Sequence, residues 1–359
     1  MLTLLSSLAL AGPATSTIVL AGDAGLGLPE WVPEERAEAL ERDRCLRSDE
    51  DPVAAKARAL VGAAQSGWVL WLGDNVYPSG LEAVDDQLGG CHPGTRTYGE
   101  QVLQRQLDAG LRAEHVVFVP GNHDWNHQGP GAGEELRVER QRTWIEEHGA
   151  IAAGYREGAV WHADIGAHLR LIAFDSQPAV SQPNATAAPL AALDAEVGSA
   201  GGRLVVLASH HPLESDGEHA NRSLGGYWPM DRFAIFRADM AHPDYAAWRE
   251  QLRARVSKWQ AAGASVLLVS GHEHSLQYVE RAGVRQLVAG STVRRDRVYP
   301  ADDARYVASE YGFAALNEDD AGAVWLDLYT FDCGEVWPCG ADAVTLARRV
   351  ELSAASPTP

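Results

Sequence analysis

Five short apolar runs, each closing on a carboxylate, amide or imidazole side chain, constrain this chain more than any other feature. Thr17–Ala21 runs into Gly22-Asp23, Trp68–Leu72 into Gly73-Asp74-Asn75-Val76-Tyr77, and Val116–Val119 through Pro120 into Gly121-Asn122-His123-Asp124. Leu204–Ala208 runs into Ser209-His210-His211-Pro212, and Val266–Val269 into Ser270-Gly271-His272-Glu273-His274. Runs of Val, Leu and Ile bounded by glycine or polar residues have the length and composition of strands buried on both faces. Leu169–Phe174 is a sixth run of this kind.

Helix-like stretches separate the strands: Glu34–Arg44, Val53–Ala64, Tyr98–Leu111, Glu134–His148 and Ala247–Ala261, while Leu190, Leu193 and Val197 fall on one helix face. Alternation of this kind predicts an α/β architecture with sheet covered on both sides. Late in the chain Leu276–Glu280, Val284–Ala289, Val324–Phe331 and Val344–Leu352 follow one another with few helices between, which predicts an antiparallel portion. At 359 residues two units are conceivable. No linker divides the chain, so residues 15–352 are read as a single domain and Ser353–Pro359 as a frayed tail. Gly27–Gly94 and Pro212–Pro243 are read as carrying long connections over a site, with Trp31, Trp125, Tyr227 and Trp228 as rim candidates or packing aromatics and Gly225–Trp228 as a flap.

A hydrophobic share of 46% is ample for a buried core, and no segment reaches the roughly 20 apolar residues of a membrane-spanning helix. The formal charge of −19 excludes a nucleic-acid binder, whose partner would be repelled at long range, yet leaves an anionic small substrate open where a bound cation reverses the local field. Met1–Gly12 is a short apolar run ending in small residues, with Ala9 and Ala11 spaced as at a signal-peptidase site. Residues 1–14 are therefore a candidate export signal; a buried N-terminal extension or a misassigned start is the alternative, since no Lys or Arg precedes the run. Four cysteines without a Cys-x-x-Cys argue against a zinc ribbon. The pairs Cys45 with Cys91 and Cys333 with Cys339 are expected as disulfides in an oxidising compartment, secreted or periplasmic; in the cytoplasm all four would be thiols. Sequons at Asn184 and Asn221 matter only in a glycosylating pathway.

In an open α/β sheet the carboxyl ends of the strands line the ligand crevice, so the five polar termini can converge there. Two Asp, one Asn and several His form an oxygen–nitrogen donor set suited to Fe, Zn or Mn. They outnumber what one tetrahedral ion takes, so two ions sharing a carboxylate is the economical reading. Each motif alone is weak, because strand-end Gly-Asp is common in turns, and the order of all five carries the inference. His272 and His274 point to the same side of an extended segment.

Together these segments resemble the metallophosphoesterase (calcineurin-like) superfamily, and within it the purple acid phosphatases. The nearest likeness is to the small mammalian-type tartrate-resistant acid phosphatases, through GDNVYPSG at Gly73–Gly80, GNHDW at Gly121–Trp125 and GHEHSLQY at Gly271–Tyr278. The superfamily's Asp-x-His is missing, since Ala24-Gly25 follow Asp23, and Tyr77 stands where that branch has a phenolate ligand to Fe(III). No Asp-Arg-Gly follows the second motif, which disfavours the protein phosphatase branch.

The resemblance implies a β-sandwich of mixed sheets flanked by helices, with the site at the carboxyl ends of the strands. It implies that Asp23, Tyr77 and His274 bind Fe(III), that Asn122, His210 and His272 bind a divalent Fe, Zn or Mn, and that Asp74 bridges the two ions. His210 is preferred over His211 because the motif places its ligand two residues before the proline. His123 is implied to contact the phosphate or leaving group outside the metal shell. Glu218 and His219 resemble a substrate-side Glu-His pair. The implied activity is hydrolysis of phosphate monoesters, on a small phosphorylated substrate or a phosphoprotein, by hydroxide that the two ions generate. A phosphodiesterase on the same fold or a non-catalytic metal-binding member are the alternatives.

Overall fold

The computed structural model describes residues 14–84, 90–129, 131–156, 158–182, 187–220, 239–334 and 339–352. The candidate signal, both sequons, the flap with Tyr227 and Trp228, and the tail lie outside them.

The first strand, β1 (Ser16–Ala21), alternates its apolar residues to two sides, as period-2 geometry demands. Ile18 and Leu20 enter one core and Val19 and Ala21 another, which is why the run reads as continuously apolar. Parallel to it lie β2 (Ser66–Trp71), β3 (Val116–Phe118) and β4 (Ile151–Ala152). The connections contain α1 (Glu34–Asp43), α2 (Pro52–Ala63), α3 (Arg96–Leu107) and α4 (Glu135–Glu147). Asp51 caps α2 by accepting from the Val53 and Ala54 amides, with Pro52 at the first helical position.

A second sheet starts with β5 (Val160–Ile165) antiparallel to β6 (Leu169–Phe174), then continues parallel through β7 (Leu204–Ala208) and β8 (Ser265–Ser270) to β10 (Val284–Ala289). Helices α5 (Gln177–Ser181), α6 (Ala187–Gly198) and α7 (Pro243–Ala261) fall in its crossovers, and β9 (Leu276–Arg281) and β11 (Ala304–Ala308) close it antiparallel. The chain then returns to the first sheet. There β12 (Tyr311–Glu318) pairs antiparallel with β1, followed by β13 (Val324–Phe331) and β14 (Val344–Leu352). The orders are β14-β13-β12-β1-β2-β3-β4 and β11-β9-β10-β8-β7-β6-β5. The antiparallel strands expected late in the chain are thus shared between two sheets.

Leu70, Leu72, Val117 and Val119 of one sheet meet Leu171, Val206, Leu267 and Val269 of the other in the central core. The outer face of the first sheet packs under α2–α4, and that of the second under α6 and α7, where Leu190, Leu193 and Val197 are buried as their spacing predicts. Two disulfides are present, Cys45–Cys91 and Cys333–Cys339. Among the described residues no helix is long and apolar enough to cross a membrane. Trp31 and Trp125 are packing residues rather than a rim: both are buried, with their indole N–H groups donating to the Thr292 carbonyl and to Asp175.

Candidate metal centre

The strands of both sheets deliver their polar termini to one place. Asp23 follows β1 and Asp74 follows β2, while His210 follows β7 and His272 follows β8. Asp23, Asp74 and His272 all have left-handed backbones, with φ of 56°, 54° and 70°, a conformation that non-glycine residues adopt only when the surroundings impose it. Gly121 permits the close approach, since a Cβ there would lie 2.3 Å from Asp74 Oδ1.

The Tyr77 hydroxyl lies 3.1 Å from Asp74 Oδ2, 3.2 Å from Asp23 Oδ1 and 3.2 Å from His274 Nε2. On the other side, Asn122 Oδ1 is 2.8 Å from His210 Nε2 and 3.0 Å from His272 Nδ1. Asp74 sits between the two groups, its Oδ2 toward Tyr77 and its Oδ1 3.4 Å from His210 Nε2. All seven expected donors therefore converge. Asp23, Asp74 and His210 offer ligand atoms within 4.8 Å of one another, as do His210, His211 and His272. His211 is held differently, with Nδ1 2.8 Å from the Ser176 hydroxyl and its ring edge-on to Tyr245.

The donor set fits bound cations. His210 Nδ1 donates to the Leu72 carbonyl at 2.8 Å, so in the neutral ring the Nε2 lone pair faces the lone pairs of Asn122 Oδ1. His274 Nδ1 is likewise held by Asp296 Oδ2 at 2.6 Å. The single Tyr77 hydroxyl hydrogen is then left to two carboxylates and an imidazole lone pair. Acceptors facing acceptors in a buried space are repulsive without a cation among them. Burial, then the charge of Asp74, pushes the Asp23 carboxyl well above its ordinary range. For Asp74 burial acts upward, but the charges of His210 and His123 outweigh it and hold the carboxyl well below that range. Burial, and then the two carboxylates, push the Tyr77 phenol up.

His123 stands beside these donors. Its N–H donates to Asp74 Oδ1 at 2.8 Å, its Nδ1 lies 2.7 Å from the Pro78 carbonyl, and its partly exposed Nε2 is 3.8 Å from Asp74 Oδ2. Burial lowers its pKa to about 4, partly opposed by Asp74. The His219 ring is 4.4 Å from that of His272, whereas among the described residues no contact places Glu218 at the same spot.

Several supporting residues escape the sequence reading. Asp124, fully buried, accepts from the Gly121, Asn75 and Val76 amides and from Gln141, joining the second and third strand ends. Glu273, inside the His-Glu-His, accepts from the Ser215 hydroxyl and the His219 amide, and so holds the 215–219 loop over the centre. Asp296 has no motif around it. Of the three, only Asp124 carries a signal in the sequence, its place directly after Gly121-Asn122-His123.

The calcineurin-like phosphoesterase model matches residues 17–276, which is most of the chain. The chain belongs to that family. No curated protein matches this phosphoesterase in sequence. Among solved structures it is similar in fold to a purple acid phosphatase, PPD1, from yellow lupin (Lupinus luteus), with TM-score 0.58 and 11% identity over 94% of this chain. It spans about half, 53%, of that protein's length. It is also similar to GAP50 of Plasmodium, described as the anchor in the inner membrane complex, with TM-score 0.57 and 11% identity over 96% of this chain and 90% of that one. PhoD is a third, with TM-score 0.55 and 11% identity over 96% of this chain and 73% of the other. At such identities the likeness concerns the fold of this phosphoesterase, and its chemistry rests on its own residues.

Proposed function

We propose that this chain hydrolyses phosphate monoesters at a dinuclear centre of the purple acid phosphatase kind. The observation that carries the reading is the Tyr77 hydroxyl, within 3.2 Å of Asp23, Asp74 and His274 on the side opposite Asn122, His210 and His272. On this reading Asp23, Tyr77 and His274 hold Fe(III), Asn122, His210 and His272 hold divalent Fe, Zn or Mn, and Asp74 belongs to both. Tyrosine oxygen with two further hard or borderline donors suits a trivalent ion, and two imidazoles with an amide suit a divalent one. The bound cations supply Lewis acidity, neutralising phosphate oxygens and lowering the pKa of a water.

The chain's own groups do the rest. Water oxygen attacks phosphorus in line and gives up a proton to solvent, the phosphorus–ester oxygen bond breaks, and the departing alkoxide takes up a proton, leaving the alcohol and inorganic phosphate. On the acid side, where its imidazole is protonated, His123 is the donor best placed for that proton, because Pro78 fixes its Nδ1 side and its Nε2 is left toward Asp74 and solvent. His219, held by Glu273 through its backbone, lines the same space and serves to bind the phosphate. Glu218 is retained only as a substrate-side residue. Two disulfides favour an oxidising compartment, so secretion or a periplasmic location accompanies the proposal.

The test is hydrolysis of an aryl phosphate monoester from acid to neutral pH, with Asp74→Asn beside the wild type and metal content measured on both. Activity that disappears together with metal in the variant supports the reading. A metal-replete Asp74→Asn with normal turnover overturns the shared-ligand role. Wild type that cleaves diesters and not monoesters makes the chain a phosphodiesterase.

A further inference from the structure

An asparagine amide can present either face to a cation, and only one of them binds. Turned one way, Asn122 offers Oδ1 to the space shared with His210 and His272; turned the other way, it offers two N–H donors and repels the ion. What settles the choice lies on the far side of the amide. Asn122 Nδ2 is 3.0 Å from Nδ1 of His127, and among the described residues that nitrogen is the acceptor it meets. His127 is itself fixed in place. Its backbone N–H donates to the Asn122 carbonyl at 2.6 Å, its φ is 58°, and its ring packs edge-on against His123 with centroids 4.0 Å apart.

We infer that His127 is a positioning residue that locks the Asn122 amide with its oxygen toward the second metal. The inference rests on the proposed dinuclear reading and adds a specific determinant to it. An exposed imidazole five residues beyond Asn122, in a left-handed turn, is needed because the tight loop brings its Nδ1, and not its Nε2, back over the amide. The same ring forms a side wall for His123, so the amide and the proton donor share one support.

The experiment titrates Zn2+ into metal-depleted full-length protein by calorimetry, for wild type, Asn122→Ala, His127→Ala and His127→Asn, with thermal melting of each. Asn is the conservative variant: its Oδ1 stands where imidazole Nδ1 stands and it tolerates a left-handed backbone. Outer-shell partners of this kind are typically worth about 10–100-fold in metal affinity. The expected result is that His127→Ala weakens one of two Zn2+ sites by about that factor, leaves the other unchanged, and is restored to within about threefold by His127→Asn. Wild-type affinity at both sites in His127→Ala overturns the inference while leaving the dinuclear reading intact. So does equal weakening of both sites with a matching loss of melting temperature, which marks a merely structural residue. Wild type that binds fewer than two metal ions even when Fe(III) is supplied beside Zn2+ overturns the dinuclear reading itself, and the inference with it.

Discussion

Oδ2 of Asp296 lies 2.6 Å from Nδ1 of His274, which fixes the imidazole tautomer and turns Nε2 toward Tyr77 and Asp23. The Asp296 backbone N–H closes the arrangement by donating to the His274 carbonyl at 2.8 Å. Removing the carboxylate leaves the fold but frees the ring. Asp296→Ala is expected to lower affinity at the Tyr77 side of the centre by about 10–100-fold, with Asp296→Asn intermediate. Metal retained after dialysis against graded chelator reads this directly, and full retention in the alanine variant would count against it.

Tyr77→Phe removes one oxygen from a buried site crowded with acceptors. With iron loaded, wild type is expected to absorb visible light through a tyrosinate-to-Fe(III) transition, and the variant to lose that band. The absorption spectrum of iron-reconstituted protein decides it; a band unchanged in Tyr77→Phe removes Tyr77 from the ligand set.

Gly121→Ala tests how tightly the strand ends are packed. A Cβ there meets Asp74 Oδ1 at 2.3 Å, the Asp74 nitrogen at 2.4 Å and His210 Cε1 at 2.9 Å. Overpacking of this kind costs about 1–3 kcal/mol. Because the displaced atoms belong to proposed ligands, metal stoichiometry should fall along with the melting temperature. A variant that melts lower yet binds two ions normally would show that the neighbours can give way.

Asp175 makes a pH prediction away from the centre. Burial lifts its carboxyl to about 7, partly offset by hydrogen bonds from the Gln177 amide and the Trp125 indole. A folded-state pKa above the unfolded value of about 3.9 means the native state holds the proton more tightly. The stabilisation is complete below about pH 4 and is lost as pH rises through about 7. Melting temperature should therefore decline from pH 4 to pH 7 less steeply in Asp175→Asn than in wild type. Parallel curves would rule Asp175 out as a source of the slope.

The central strands and the donors were legible because each buried run had to end where a ligand crevice begins, and the residue after the run announced itself. What stayed hidden was held by tertiary partners. The central strand β12 contains Gly312, Ala314 and Ala315, lacks any β-branched residue, and ends in Asn317-Glu318, a pattern with little strand character of its own. It is a strand because β1 and β13 pair with it on both sides, and its polar end is held across the fold: Thr17 donates to Asn317, and the Ala167 and His168 amides donate to Glu318 Oε1. β5 is an edge strand, half-exposed and carrying His162 and Asp164, so it lacks the apolar run of the others. Asp296 and Glu273 support the centre through contacts made by distant loops, which no spacing rule connects.

The centre draws Asp23, Asp74 and Asn122 from one sheet's strand ends and His210 and His272 from the other's, while the first sheet is itself assembled from both ends of the chain through β1 and β12. No contiguous stretch contains the site. A gene fragment or a recombined half would inherit a sheet with a few unpaired donors and no reactive centre, so this arrangement can pass between proteins only as the whole sandwich. The chemistry is transmitted all at once or not at all.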